Sequence, residues 1–254
     1  MNNAVADTVL ETSGLTKRFS GFTAVDNVSL KVKTGSIHAL IGPNGAGKTT
    51  CFNLLTKFMQ PSAGKIIYRG DDITYLKPAD VARRGLVRSF QISAVFGHMT
   101  ALENVRIALQ RERGASFDFW RSDRNLQRFD DRACALLEDV GLGAFIHTKA
   151  AELSYGRKRA LEIATTLALD PPLLLLDEPT AGMTEQDVER IVDLIKRLRQ
   201  GRTILMVEHN LSVVAGLSDR ITVLMRGRVL AEGDYETVSR DPAVITAYLG
   251  QDHA

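Results

Sequence analysis

Hydrophobic and polar positions alternate along this chain with two different periods. Residues 173–176 and 203–207 are short apolar runs, typical of strands that are buried on both faces of a parallel sheet. Residues 48–59 and 185–200 instead carry apolar side chains at helical spacing, which predicts two amphipathic helices. Strands that alternate with helices in this way predict an α/β architecture with a mostly parallel sheet.

The two ends of the chain follow the strand period more closely. The 20 residues before Gly35 alternate as antiparallel strands do, which predicts an antiparallel β-subdomain at the N-terminus. Residues 221–231 predict a hairpin around Arg226 and Gly227.

The middle of the chain is helical in pattern. Thr100 and Glu103 form a capping-box pair before one apolar helical run, and further helices are predicted over 122–140 and from Ser154 to the break at 170–172. We therefore predict one domain over 1–254. Its core would comprise 1–91 and 161–254, and residues 92–160 would form a helical subdomain.

Composition narrows the class of protein. The 254 residues are 44% hydrophobic, with 32 basic and 30 acidic side chains, which suits one large globular domain. No apolar run approaches the roughly 20 residues of a membrane-spanning helix, and we expect no secretory signal. Cys51 and Cys134 stand far apart, which favours a reduced cytosolic protein with buried thiols over a disulfide or zinc site.

An arginine-rich stretch in the helical region raises the question of nucleic acid. Seven arginines occur from Arg106 to Arg132, and six acidic residues occur over nearly the same stretch, from Glu103 to Asp131. Mixed charges of this kind are typical of a solvated helix surface, so we expect no nucleic-acid partner.

One motif points to phosphate chemistry. Residues 42–49 fit the pattern G-x-x-x-x-G-K-[ST] between a predicted strand and a predicted helix. Backbone N–H groups and the helix N-terminus would face phosphate oxygens, Lys48 would meet the β- and γ-phosphates, and Thr49 would ligate Mg²⁺. The alternative is a glycine-rich turn with a surface lysine. The candidate phosphate-binding residues are Gly42, Pro43, Asn44, Gly45, Ala46, Gly47, Lys48, Thr49 and Thr50.

Two acids and a histidine follow apolar strands. Asp177 would hold Mg²⁺ at the carboxyl end of its strand, and Glu178 would polarise a water in line with the γ-phosphate. A solvated turn with two acids is the alternative. His209 follows the strand at 203–207 and could hydrogen-bond the γ-phosphate or the attacking water, although a histidine at a strand end is usually structural.

Together with these motifs, the sequence L-S-Y-G-R at 153–157 resembles the signature of the ATP-binding subunit of ABC transporters. The resemblance covers the chain from about Leu10 to the C-terminus. It implies ATP and Mg²⁺ as cofactors and an ATPase dimer with two shared sites. In such a dimer, Ser154 and Gly156 would contact the γ-phosphate bound to the partner, and Ser154 would cap the helix that follows.

The same resemblance assigns further residues. Gln91 looks like the glutamine that senses the γ-phosphate and Mg²⁺, Phe19 and Val25 would line the adenine pocket, and His209 matches the switch histidine. Residues 181–184 lie where the dimer-facing D-loop should be. Three residues depart from the commonest family pattern: Tyr155, Arg157 and Thr184.

Other segments resemble the longer ATPase of branched-chain, or hydrophobic, amino-acid importers. They are residues 87–91, the helical insertion, 161–164 and 247–250. This implies two permease subunits, a second related ATPase or a second copy, and indirectly a periplasmic binding protein, with the chain peripheral on the cytoplasmic face of the inner membrane. Apolar residues near Gln91, including Phe96, would carry motion to a permease or pack within the domain.

Three alternatives stay open at this stage. A soluble ABC-type ATPase acting on the ribosome or nucleic acid would usually have two cassettes or long coiled coils. A GTPase or nucleotide kinase would leave the signature unexplained, and no N-K-x-D motif occurs. A regulatory subunit that binds ATP without hydrolysing it would not need Glu178 and His209.

Overall fold

The structure is a computed structural model that describes residues 7–89, 95–110 and 129–249. Within those ranges, strands and helices alternate as the sequence pattern predicts. The strands are β1 (Thr8–Phe19), β2 (Phe22–Lys33), β3 (Ile37–Ile41), β4 (Ala63–Tyr68), β5 (Asp71–Asp72), β6 (Leu86–Ser89), β7 (Leu173–Asp177), β8 (Thr203–Val207), β9 (Arg220–Met225) and β10 (Arg228–Gly233). The helices are α1 (Lys48–Leu55), α2 (Pro78–Arg83), α3 (Ala101–Leu109), α4 (Asp130–Asp139), α5 (Tyr155–Leu167), α6 (Glu185–Leu198), α7 (Leu211–Leu217), α8 (Tyr235–Ser239) and α9 (Pro242–Leu249), with 3-10 turns at Gly143–Phe145 and Ala150–Glu152.

The strands form two sheets. The first has the order β2-β1-β4-β5 and is antiparallel, as predicted for the N-terminal region. The second has the order β10-β9-β3-β8-β7-β6; β3 runs parallel to β8 and β9, and β7 runs parallel to β8. The predicted fold class is confirmed. In such a sheet the carboxyl ends of β3, β7 and β8 share one edge, where ligands usually bind.

The chain divides into two compact units. The first comprises 1–87, 172–179 and 195–254, and the second comprises 88–171 and 180–194. The second unit contains α3, α4 and α5, which are the helices predicted for the middle of the chain. The proposed limits of the helical subdomain, 92–160, stay a prediction.

One apolar core holds the first unit together. It gathers fully buried side chains from β1, β2, α1, β4, β7, β8 and β9, among them Leu15, Phe52 and Leu175. Burial of such side chains is the main favourable term in folding. Because α1 contributes to this core, the loop that precedes it is anchored by the same packing.

Helix α1 ends four residues earlier than the periodicity predicts. It stops at Leu55, because Lys57 adopts the left-handed conformation (φ 65°) and the N–H of Met59 donates to Asn53 O at 3.0 Å. The Nζ atom of Lys57 also donates to Thr74 O, which holds the turn. Phe58 is consequently 55% exposed instead of packing on the helix face.

The second unit confirms the predicted capping box. The Thr100 hydroxyl accepts from the N–H of Glu103 at 3.2 Å, and the Glu103 carboxylate accepts from the N–H of Thr100 at 2.7 Å. Arg106 forms an ion pair with Asp130, which joins α3 to α4. Asn104 accepts from the N–H of Phe96 at 2.7 Å, and the Phe96 ring is 46% exposed. Most of the arginine-rich stretch lies outside the described residues.

The structure bears on the two cysteines and on the possibility of a membrane-spanning helix. Cys51 is buried, but Cys134 is only half-buried, so the expectation of two buried thiols is right for Cys51 and wrong for Cys134. No helix in residues 7–89, 95–110 and 129–249 has both the length and the hydropathy of a membrane span.

The buried histidine of β3 predicts acid sensitivity. His38 is fully buried, and its Nε2 atom lies 2.8 Å from Thr222 Oγ1. Burial is the largest cause that lowers the His38 pKa, from 6.5 to about 4. The unfolded chain therefore takes up this proton at a higher pH than the folded chain does. The stability that neutral His38 provides is complete above pH 6.5 and is lost as the pH falls toward 4.

We expect the free energy of unfolding to fall by up to about 3 kcal/mol through this one group between pH 6.5 and 4. Urea unfolding of the His38→Gln variant should show a weaker dependence on pH in that interval than the parent does. The exposed His98→Gln variant serves as the matched control. Equal pH dependence of the parent and His38→Gln would contradict this assignment.

Candidate functional site

The loop at 42–47 connects β3 to α1 and is pressed against neighbouring backbone. Gly42 has φ 147° and Gly47 has φ 101°, conformations that favour glycine. A Cβ atom on Gly47 would lie 2.5 Å from Ala24 O, and one on Gly42 would collide with Leu224 O. Neither position can take a side chain without moving β2 or β9, so the path of the loop is fixed by both strands.

Lys48 is the first residue of α1, and its ammonium group bends back over the loop. Its Nζ atom donates to Gly42 O at 2.6 Å and to Pro43 O at 3.0 Å. Burial lowers the pKa of Lys48, while the carboxylates of Glu178 and Asp177 act in the opposite direction. This cation is therefore partly desolvated and lies within the electrostatic influence of two acids.

A cavity of about 480 Å³ opens over the loop and the start of α1. Its lining includes an aromatic pair and Glu178. The rings of Phe19 and Phe22 stack with centroids 5.4 Å apart at 24°. The lining residues are Phe19, Phe22, Thr23, Ala24, Asn44, Gly45, Ala46, Gly47, Lys48, Thr49, Thr50, Glu178 and Arg226.

Among the residues predicted for the phosphate loop and the adenine pocket, Val25, Gly42 and Pro43 do not line this cavity. Val25 is fully buried in the hydrophobic core, and its neighbours Thr23 and Ala24 take the lining positions. Gly42 packs against Leu224, as described above. Pro43 lines a second cavity next to α9, which shares lining residues of the loop with the first.

Asp177 and Glu178 follow one another at the end of β7 but differ in environment. Asp177 is 1% exposed and pairs in register with Val207 of β8. Glu178 has φ 46°, which is unusual for a residue with a side chain, and its N–H donates to Val207 O at 2.9 Å. Strained backbone of this kind tends to occur at functional sites. Of these two acids, only Glu178 lines the cavity.

His209 lies beyond the end of β8 and is exposed. It is not one of the residues that line the cavity. The buried carboxylate of Glu208 accepts from the N–H groups of His209 at 3.1 Å and Asn210 at 3.3 Å. The Asn210 side chain in turn accepts from the N–H of Ser212 and so caps α7. The backbone of His209 is thus held in place while its side chain faces outward.

The two described residues that were predicted to hold Mg²⁺ carry donors that suit a hard divalent cation. Asp177 offers a carboxylate and Thr49 a hydroxyl, both oxygen donors of the kind that Mg²⁺ prefers. Mg²⁺ usually takes one or two protein ligands and completes its shell with water and phosphate. Among the described residues, no group of three or more His, Cys, Asp or Glu side chains forms a dedicated metal cage.

The signature residues belong to the second unit. Ser154 is the N-cap residue of α5, as predicted, but its side chain makes no capping hydrogen bond, so that part of the prediction is wrong. Gly156 is buried in the first turn. The Arg157 guanidinium lies 4.0 Å from the centroid of the Phe145 ring. This cation–π contact holds Arg157, which is one of the residues that depart from the commonest signature. Gln91 lies outside the described residues.

Three residues near the site have no assignment from sequence. Phe22 is three positions after Phe19, and a second aromatic residue so close to the first could have indicated that both line the same pocket. Arg226 had a weaker signal, since it marks only the tip of the predicted hairpin. Glu208 is fully buried next to His209, and no pattern in the sequence distinguishes it from a solvated acid.

Comparison with known families agrees with this geometry. A family model described as ABC transporter matches residues 25–181, which include the phosphate loop, the signature and both acids. The chain belongs to the ABC transporter family. A second model, described as branched-chain amino acid ATP-binding cassette transporter, matches residues 228–254.

Curated relatives align over nearly the whole chain. One is the high-affinity branched-chain amino acid transport ATP-binding protein BraF of Pseudomonas aeruginosa, 42% identical over 253 residues, covering 96% of this chain and 98% of its own. Another is the corresponding protein LivG of Escherichia coli, 40% identical over 250 residues with coverage of 96% and 98%.

Solved structures of the family share the fold. A crystal structure of the ADP conformation of an ABC transporter ATP-binding cassette matches with a TM-score of 0.84 and 31% identity, covering 96% of this chain and 99% of that one. A dimeric post-hydrolysis state of another cassette, bound to ADP and Pi, matches with a TM-score of 0.75 and 27% identity, covering 89% and 98%.

The partly desolvated ammonium of Lys48 predicts a large effect on nucleotide binding. Lys48→Ala should weaken ATP binding by roughly 10- to 100-fold, because a charge-assisted contact to a polyanion is lost. Isothermal titration with Mg·ATP measures this change. Lys33→Ala is the matched control, since it removes an exposed lysine that does not line the cavity. Unaltered ATP affinity in Lys48→Ala would mean that the loop is not the binding site.

Proposed function

We propose that this chain binds and hydrolyses ATP as the ATPase subunit of an importer for branched-chain or related hydrophobic amino acids. One observation carries the ATPase part: the phosphate loop, Lys48 and Glu178 line the same cavity, and Phe19 and Phe22 border it. An aromatic pair suits a base, and a glycine loop with a lysine suits a polyphosphate.

Each residue has a distinct task in this proposal. Backbone N–H groups of 44–49 and the N-terminus of α1 hold the phosphates, and Lys48 leaves its contacts with Gly42 and Pro43 to meet the β- and γ-phosphates. Glu178 accepts a proton from water, or orients that water, in line with the γ-phosphate. Mg²⁺, held by Asp177 and Thr49, would neutralise phosphate charge; Gln91 is a further proposed ligand.

His209 is proposed to stabilise the γ-phosphate once the site closes. The Glu208 carboxylate accepts from the N–H of His209, which holds the backbone that carries this side chain. Most of the rate acceleration would come from positioning and electrostatics, as in other phosphoryl transfers. Phe19 would stack on adenine, and Val25 would support that wall from the core.

The site is proposed to be shared between two ATPase chains. The Ser154 hydroxyl makes no capping bond and is exposed, which leaves it available for a phosphate on the partner chain. A similar cassette has been solved as a dimer bound to ADP and Pi, which supports this proposal. The partner would be a second copy or a second, related ATPase.

The transport part of the proposal comes from similarity. Relatives at 40–42% identity over nearly the full chain are branched-chain amino acid transport ATP-binding proteins. We propose two permease subunits as partners, a periplasmic binding protein indirectly, and a peripheral location on the cytoplasmic face of the inner membrane. The helical subdomain, including the exposed Phe96, would carry the motion to a permease.

Glu178→Gln tests the catalytic assignment. The variant should bind ATP as the parent does, while turnover falls about 10²-fold or more because the general base is lost. Phosphate release and equilibrium ATP binding measure the two effects separately. Glu236→Gln, an exposed acid of α8, is the matched control. If turnover in Glu178→Gln equals that of the parent, Glu178 has no catalytic role.

Co-purification tests the transport assignment. Tagged Glu178→Gln protein, trapped with ATP in solubilised native membranes, should recover two multi-span permeases and a second ATPase or a second copy, identified by mass. The parent protein without ATP is the control. Recovery of ribosomes, nucleic acid or no membrane protein would contradict the importer and favour a soluble ATPase.

A further inference from the structure

The carboxylate of Asp187 occupies the space beside Gly156 in which a side chain would otherwise lie. A Cβ atom on Gly156 would be 2.6 Å from Asp187 Cγ and 2.8 and 2.9 Å from its two oxygens. These distances are shorter than real Cβ contacts, so a side chain at 156 would require the Asp187 carboxylate to shift. Both residues belong to the second unit, so the contact joins the first turn of α6 to the first turn of α5 within one compact body.

Three hydrogen bonds hold Asp187 in this orientation. The Thr184 hydroxyl donates to Asp187 Oδ2 at 3.1 Å, and Arg190 Nη1 donates to Oδ1 at 3.2 Å. The N–H of Asp187 donates in turn to the Thr184 hydroxyl at 3.3 Å. Thr184, which departs from the usual Asp or Asn of the family, therefore still provides an oxygen at the start of α6 and orients Asp187.

A second contact joins the same two segments. A Cβ atom on Gly182 would lie 3.9 Å from Tyr155 Cε1 and 4.0 Å from its hydroxyl, so the Tyr155 ring packs beside Gly182. Tyr155 is another departure from the commonest signature. The segment 181–187 and the signature turn at 153–157 thus meet at two places, Gly182 with Tyr155 and Asp187 with Gly156. Tyr155 takes part in the first contact, and Thr184 orients Asp187 for the second.

We propose that Asp187 is a positioning residue that locks segment 181–184 to the signature turn, so that both meet a partner's ATP as one rigid piece. This inference rests on the proposed function, because it assumes an ATP site shared between two chains. Asp187 itself touches no nucleotide. It acts by fixing where α5 begins and therefore where the Ser154 hydroxyl and the N–H groups of the first turn are directed.

The contact itself is tested by a double-mutant cycle on the full-length, nucleotide-free protein. Gly156→Ala should lower Tm by about 2 °C or more, because the new Cβ pushes the Asp187 carboxylate out of its hydrogen bonds with Thr184 and Arg190. In an Asp187→Ala background the same change should lower Tm little or raise it, since alanine is the better helix former. Gly216→Ala, which adds a Cβ in open space, is the control. An equal loss of Tm in both backgrounds would overturn the proposed contact.

The positioning role is tested by ATP-dependent dimerisation in the Glu178→Gln background, measured by sedimentation. Asp187→Ala should weaken dimerisation about tenfold while the ATP affinity of the single chain stays within about twofold of the parent. Asp187→Asn, which keeps the shape and the acceptor for Thr184, should recover most of that loss. A merely structural residue would lower both affinities together.

The outcomes separate the two claims. If the Glu178→Gln parent dimerises with ATP and Asp187→Ala dimerises equally well, the positioning role is wrong and the shared site stands. If the parent itself does not dimerise with ATP, the shared site is wrong and the positioning role falls with it.

Discussion

The close packing of the phosphate loop against neighbouring carbonyl groups is the constraint on which the site depends. Gly42 meets Leu224 O of β9 and Gly47 meets Ala24 O of β2, so strands from both sheets hold one loop. Because interiors are close-packed, this arrangement has little freedom to deform. The path of the loop is therefore set before any phosphate arrives, which lowers the entropy that binding must overcome.

The two acids after β7 show how one strand end can supply two different functions. Asp177 stays in register with β8, whereas Glu178 turns into the left-handed region and reaches the cavity beside Lys48. The unfavourable backbone conformation of Glu178 is stabilised by the ladder bond to Val207. Strand β8 thus holds both Asp177, the proposed metal ligand, and Glu178, the proposed base, in place.

Sequence reasoning predicted the architecture well, since the apolar strands and the phosphate-loop pattern depend on local periodicity and spacing. It failed where a contact distant in the chain decided the outcome. Helix α1 stops early because Lys57 reaches Thr74, and Val25 turns into the core instead of the cavity. The roles of Phe22, Glu208 and Asp187 likewise depend on partners that no local pattern specifies. The residue roles drawn from family resemblance stay predictions, Gln91 among them.

The central claim is that the loop at 42–49 binds a nucleotide mainly through its phosphates. Isothermal titration of the full chain with Mg·ATP, Mg·ADP and AMP tests it most directly. We expect one site per chain, tight binding of ATP and ADP, and binding of AMP that is weaker by about 10²-fold or more, because charge-assisted phosphate contacts are lost. AMP binding as tight as that of ATP would contradict it, and so would the absence of ATP binding.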